Sequence, residues 1–152
     1  MENEIIKLSP SHKRYLKASL LTFEKSIRKS KQLLEEKEAQ GFLFKRSNTL
    51  EPGQRIQIEK KLNEALQKPH LVIKKIGLKP REEKSEQIII AEMSMSWANL
   101  IESRSDHFKG HGEMDREYAM ILDPEIESLV DISHVIIKQV TEYVKEKKND
   151  EK

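Results

Sequence analysis

Residues 123–144 read DPEIESLVDISHVIIKQVTEYV, and their apolar side chains recur every three or four positions. The stripe consists of Ile126, Leu129, Val130, Ile136, Ile137, Val140 and Val144. At about 100° per residue, this spacing places them on one side of an α-helix. Asp123 and Pro124 match the N-cap and the first helical position, where a proline leaves no hydrogen bond unmade. The segment therefore predicts a long amphipathic helix that begins at Pro124.

The same period continues through most of the chain. It predicts further helices over residues 10–38, 52–76 and 80–109, with a short connecting helix over residues 115–121. Ser9 and Pro10 supply the start of the first helix, and Gly77 ends the second. Within the second helix, Pro69 either kinks the helix or splits it after Lys68, because proline lacks an N–H group.

The segment between the first two helices is short and apolar. Gly41 is predicted to stop the first helix, and Phe42, Leu43 and Phe44 then form an apolar plug. Four helices of matched length with short links favour antiparallel neighbours. We therefore expect an all-α protein, an antiparallel up-down four-helix bundle with a short connecting helix before the last long helix. A single domain spans residues 1–152, with frayed tails at 1–8 and 145–152.

The composition excludes several classes of protein. The chain has 152 residues and no cysteine, which excludes disulfides, thiolate metal sites and a cysteine nucleophile. No apolar run approaches the roughly 18 residues that a membrane-spanning helix needs. The first ten residues, MENEIIKLSP, lack the apolar run of a signal peptide. We therefore expect a cytoplasmic location and no membrane partner.

Polar side chains concentrate in the predicted turn after the third helix. Asp106, His107, His111 and Glu113 supply the nitrogen and oxygen ligands that divalent metals prefer. Their spacing matches no established metal motif, and no cofactor other than a divalent metal is indicated. The alternative interpretation is that Gly110, His111 and Gly112 simply terminate a helix whose neighbouring acids are solvated.

Arg104 falls within the apolar stripe of the predicted third helix. A guanidinium on a core face needs a carboxylate or an anionic ligand, because an unpaired buried charge is costly. Glu113, Asp115 or an acid on the last helix could supply that partner. Alternatively, the stem of Arg104 packs near the helix end while its charged head reaches water.

The net charge of +2 is a cancellation between the two halves of the chain. Residues 1–76 carry 17 basic and 9 acidic residues, a balance of +8, whereas residues 77–152 carry 11 and 17, a balance of −6. The outer face of the first helix gathers Arg14, Lys25, Arg28 and Lys29. This basic face suits an acidic protein partner or the acidic half of the same protein. Nucleic acid is the third interpretation and is not favoured, because no aromatic residues interleave with these charges.

Several apolar residues lie outside the main stripes, which favours self-association. They are Tyr15, Leu21, Leu33, Ile88, Met95, Ile132 and Tyr143. Ser133 and His134 are neighbours in sequence but point to different sides of a helix, so they do not form a catalytic pair. The sequence therefore predicts a non-enzymatic protein that acts by protein–protein interaction, with a homodimer as the expected assembly. The alternative is a bundle that binds a small ligand or a divalent metal through the His111 segment.

Overall fold

The computed structural model describes residues 6–151, apart from the side chains of residues 108 and 109. The chain is mostly helical, as predicted, with one small two-stranded sheet. The elements are α1 (Pro10–Glu35), β1 (Glu38–Gln40), β2 (Lys45–Ser47), α2 (Pro52–Gln67), α3 (Pro69–Ile76), α4 (Ser85–Glu102), a 3₁₀ helix (Ser105–His111) and α5 (Arg116–Asp150). They divide between two units, residues 1–80 (unit 1) and residues 81–152 (unit 2), and each is described by itself.

The start of unit 1 follows the prediction. Ser9 caps α1, because its hydroxyl accepts a hydrogen bond from the backbone N–H of His12 at 3.2 Å. The predicted frayed tail falls partly on residues 1–5, which lie outside the described residues. Ile6 donates a backbone hydrogen bond to the carbonyl of Lys75 at 2.9 Å, so the last part of that segment is tied to α3. Helix α1 packs against α2.

A β-hairpin stands where the sequence predicts a helix end and an apolar plug. Strands β1 and β2 pair antiparallel, and the backbone N–H of Gly41 closes the turn by donating to the carbonyl of Phe44 at 2.9 Å. The plug prediction is wrong, because Phe42 is 100% exposed and Leu43 is 91% exposed at the tip of this turn. Helix α1 also ends at Glu35 rather than at residue 38. Strands of three residues are too short to show an alternating pattern in the sequence.

Pro69 splits the second predicted helix, which was one of the two alternatives. Helix α2 ends at Gln67 and α3 begins at Pro69, with Lys68 between them in a right-handed helical conformation. Pro69 takes the first position of α3, where its missing N–H is tolerated. Gly77 ends α3 as predicted, with a φ of 70° that suits glycine. Ile76, immediately before it, is buried.

Unit 2 contains two long helices, and their limits correct the prediction. Helix α4 runs from Ser85 to Glu102 instead of over residues 80–109, and residues 105–111 form the 3₁₀ helix. There is no separate connecting helix over residues 115–121, because α5 is continuous from Arg116 through Pro124 to Asp150. It also extends beyond residue 145, where the sequence predicts a frayed tail.

Asp123 does not have the helix-capping role that the sequence predicts. Its carboxylate does not cap Pro124 but accepts two hydrogen bonds from Ser105, one from the backbone N–H at 2.9 Å and one from the hydroxyl at 2.5 Å. With this side chain engaged across the turn, nothing stops the helix before Pro124, and the proline removes one backbone hydrogen bond inside α5. The Asp123 side chain is therefore not available to cap a helix that would begin at Pro124.

Helices α4 and α5 pack against each other. Val130 and Ser133 are the buried residues of α5 on that side. The hydroxyl of Ser133 donates to the carbonyl of Leu129 at 2.8 Å, which satisfies it one turn back in the same helix. The rings of Trp97 and His134 lie 6.4 Å apart across the helix pair. The packing of unit 2 is therefore a two-helix contact, with a polar residue among its few buried side chains.

Candidate functional site

Arg104 lies directly after α4, and its partner comes from the last helix. Its guanidinium forms an ion pair with Glu127 of α5, one of the alternatives that the sequence left open. The Arg104 side chain is 32% exposed and that of Glu127 is 50% exposed, so the pair is partly solvated. Its Nε is buried and has no hydrogen-bond partner in the part of the chain that the structure describes. The ion pair connects the end of α4 to α5.

The structure brings Asp106 and His107 together. The Nε2 of His107 lies 3.8 Å from the Asp106 carboxylate, and its Nδ1 lies 3.4 Å from the carboxylate of Glu102. Both Asp106 and His107 are exposed at the start of the 3₁₀ helix. This is an imidazole between two solvated carboxylates. Such an arrangement lacks the enclosure typical of a binding pocket.

His111 ends the 3₁₀ helix, and Glu113 follows Gly112 in the link to α5; both are exposed. Within residues 6–107 and 110–151, no three histidine, aspartate or glutamate side chains converge in a group that could hold a metal ion. The structure therefore offers no geometry in support of the predicted metal ligands Asp106, His107, His111 and Glu113.

A cavity of about 430 Å³ lies instead in unit 1. It is formed by the C-terminal end of α1, the β-hairpin and the turn into α2, and Leu34, Ala39 and Asn48 are among its lining residues. Asn48 holds this turn in place, since its side-chain amide donates to the Leu34 carbonyl and its oxygen accepts from the backbone N–H of Leu50. The cavity contains none of the predicted metal-ligand or basic-face residues.

Asp123 is the most engaged carboxylate near Arg104, and the sequence did not nominate it as a site residue. The hydrogen bond from the Ser105 hydroxyl, followed by the one from the Ser105 backbone N–H, holds the pKa of Asp123 below its usual value. Its role is to anchor the start of the 3₁₀ helix to α5. No local pattern could reveal it, because Ser105 is eighteen residues away in sequence.

The predicted basic face of α1 is exposed. Arg14, Lys25 and Lys29 are solvent-exposed, and Arg28 pairs with Glu24 one turn earlier at 2.8 Å. The division of charge also coincides with the division into units. Unit 1 contains 18 basic and nine acidic residues, a balance of +9, and unit 2 contains ten and 17, a balance of −7. Each unit therefore has a strong charge of its own.

The second exposed feature is a row of side chains on α5 that we call the outer stripe. It consists of six exposed residues, Ile121, Glu125, Leu129, Ile132, Gln139 and Tyr143, and of the half-buried Ile136. At 100° per residue these positions fall on one side of α5, adjacent to the side that contains Val130 and Ser133. Ile121 is 71% exposed, Ile132 is 55% and Tyr143 is 61%. Leu129 is 48% exposed, so its predicted place in the core stripe is wrong.

Few side chains are removed from water anywhere in the described chain. Among residues 6–107 and 110–151, those that are buried are Ile76, Val130 and Ser133. The total accessible surface is 13319 Å² for a chain of 17.8 kDa. Two separately folded halves of that mass would together expose roughly 9,700 Å². The excess surface is partly apolar, and the outer stripe of α5 is a continuous portion of it.

Two further findings concern membrane-spanning helices and similarity to known proteins. In the part of the chain that the structure describes, every helix is either too short or too polar to cross a bilayer. Comparison with protein-family models, with curated proteins and with solved structures finds no match to this chain.

Proposed function

We propose that this protein acts by protein–protein interaction and that it self-associates as a homodimer through the outer stripe of α5. One observation carries the proposal: unit 2 is a two-helix unit that leaves a row of large apolar side chains in water. Two helices alone have no third element to cover such a row. Exposed apolar patches of this kind are typical of interaction sites.

The exposed area is sufficient for a small interface. Tyr118 is 65% exposed and lies within about 40° of the outer stripe around α5. With about 150–200 Å² for each large side chain, the exposed parts of Tyr118, Ile121, Leu129, Ile132 and Tyr143 sum to roughly 500 Å². Two copies would bury about 1,000 Å², which is the lower limit for a specific protein interface. Polar residues at the margin would add to this area.

A homodimer of this kind would form a four-helix bundle that differs from the predicted one, which lay within a single chain. Two α4–α5 pairs that meet through their outer stripes place four helices around one apolar centre, two from each chain. The bundle would then be an arrangement between chains. In such a bundle, α4 and α5 of each chain would run up and down, because the link over residues 103–115 is short.

The basic face of α1 is a second candidate contact, for an acidic protein partner. Its support is the balance of +9 in unit 1 and the exposure of Arg14 and Lys29. Electrostatic complementarity of this kind raises association rates and falls with salt. The ligand-binding or metal-binding alternative at the His111 segment has no comparable geometry behind it. The absence of enzymatic activity and the cytoplasmic location stay predictions of the sequence.

Light scattering of the full chain over a range of concentrations tests the homodimer. We expect Ile132→Glu to raise the dissociation constant by roughly 100-fold, because it removes apolar burial from both copies and places two carboxylates in the contact. Lys138→Glu is the matched control. It introduces the same residue about 120° around α5 from Ile132, and it changes the net charge of the chain by more than Ile132→Glu does. We expect its effect to stay within about threefold.

Two results would refute the proposal. The first is a wild-type chain that stays monomeric at every concentration. The second is an equal loss of association in Ile132→Glu and Lys138→Glu, since that would make net charge the cause. Circular dichroism of both variants checks that the helices persist. Ile132 is more than half exposed, so its replacement should leave the α4–α5 pair folded.

A further inference from the structure

The outer stripe of α5 is nearly symmetric about Ile132. Ile121 and Tyr143 lie eleven residues before and after it, and Glu125 and Gln139 lie seven residues before and after it. Leu129 precedes it by three residues and Ile136 follows it by four. A row whose outer positions are equally spaced on both sides of Ile132 can face an antiparallel copy of itself. This is the requirement of a two-fold symmetric contact, in which the same patch serves both subunits.

We infer that α5 pairs with α5 of a second copy in antiparallel orientation, with the two-fold axis at Ile132. This inference rests on the proposed self-association and adds its orientation and register. In this register Ile132 faces Ile132 of the second copy, and Ile121 faces Tyr143. Glu125, the charged residue of the row, faces the amide of Gln139, which can donate a hydrogen bond to its carboxylate.

The charge distribution along α5 favours the same orientation. Residues 115–131 carry six acidic residues and one basic residue, a balance of −5, whereas residues 132–150 carry three and four, a balance of +1. An antiparallel pair places the acidic segment of one copy beside the weakly basic segment of the other. A parallel pair would place −5 beside −5 and Glu125 beside Glu125, which is repulsive. Because unit 2 has a net negative charge, this difference in repulsion favours the antiparallel pair over the parallel one.

The absence of cysteine from the chain permits a direct test by single-cysteine cross-linking. The full chain with Ile132→Cys should link to itself through a disulfide or a short bifunctional maleimide. Ile121→Cys should not, because two copies of residue 121 would be 22 residues apart along the pair, about 33 Å. A mixture of Ile121→Cys and Tyr143→Cys should link the two chains to each other.

A charge exchange gives an independent readout of register. Gln139→Glu places a carboxylate opposite Glu125 at two symmetric positions and should weaken association by roughly three- to tenfold. Adding Glu125→Lys to Gln139→Glu should restore it, since each lysine then faces a glutamate. In a parallel pair the same double variant would place like charges opposite each other and could not restore association.

The outcomes separate the two proposals. A monomeric wild-type chain refutes both the self-association and the register. A dimer in which Ile121→Cys links to itself, or in which Ile132→Cys does not, overturns the register while the self-association stands. A dimer in which Ile132→Cys links to itself and the charge exchange rescues supports both. Light scattering under reducing conditions shows that each cysteine variant keeps the wild-type assembly before it is linked.

Discussion

Val130 and Val135 offer a matched test of where unit 2 has its core. Both residues lie in α5, yet Val130 is 5% exposed and Val135 is 52% exposed. Replacing either by alanine removes two methyl-sized groups, worth about 1.6 kcal/mol when they are fully buried. At Val130 incomplete collapse of the site adds to this loss. We expect Val130→Ala to lower the free energy of unfolding of unit 2 by about 2 kcal/mol.

At Val135 the same substitution should be nearly neutral. Only about half of the Val135 side chain is buried, so about half of that loss in free energy applies, and alanine stabilises the helix by roughly 0.5 kcal/mol through its better helix propensity. The propensity gain is common to both sites, so the difference between the two variants isolates burial and should be about 1.5 kcal/mol.

Trp97 makes the measurement specific to unit 2. It is the single tryptophan of the chain and lies beside His134 across the α4–α5 pair. Urea unfolding followed by its fluorescence, at a protein concentration too low for self-association, gives the two free energies. If the two valine variants differ by less than about 0.5 kcal/mol, Val130 does not form the centre of the α4–α5 contact.

Three further variants test other parts of the structure. Glu127→Ala should lower the free energy of unfolding by about 1 kcal/mol, because it leaves the partly buried guanidinium of Arg104 unpaired. Arg104→Met should lower it by less than about 0.5 kcal/mol, and the reverse order in urea unfolding would contradict the pairing. Hydrogen bonds from Ser105 lower the pKa of Asp123 in the folded state, so the stabilising effect of its carboxylate is present above the usual pKa of an aspartate and is lost as the pH falls through the lower folded value. Asp123→Asn should therefore flatten the fall in the urea midpoint below about pH 4. An unchanged dependence of the urea midpoint on acid pH would exclude this role. Phe42→Ala should leave the free energy of unfolding unchanged within about 0.5 kcal/mol, since the side chain is fully exposed, and a larger loss would mean that the hairpin tip is packed.

The sequence predicts the helical elements where the determinants are local. The Ser9 cap, the proline at position 10 and the left-handed Gly77 all act within one turn of the backbone, and the structure has each of them as expected. The hairpin tip at Phe42 was not predicted, because its strands are too short to leave a periodic signal. The continuity of α5 through Pro124 was missed for a different reason, namely that Asp123 bonds to Ser105 rather than to its own helix.

For the candidate site, the sequence indicates residue types and the structure indicates their neighbours. Arg104 was identified from its place in an apolar stripe, but its partner Glu127 was one of several acids that the pattern allowed. Ile132 and Tyr143 were recognised as apolar residues outside the core. That Leu129 joins them depends on which side of α5 faces α4, and the sequence placed it on the wrong side.

The sequence by itself determined that this protein is helical, that its charge is divided into a basic and an acidic half, and that apolar side chains exceed what its main stripes account for. These properties follow from composition and from the 3.6-residue period, which are local. Only the tertiary structure decided where α4 ends, that α5 runs unbroken, and which apolar residues remain in water. Those features depend on contacts between residues distant in sequence, such as Ser105 with Asp123 and Arg104 with Glu127, because a side chain's burial is set by the element packed against it.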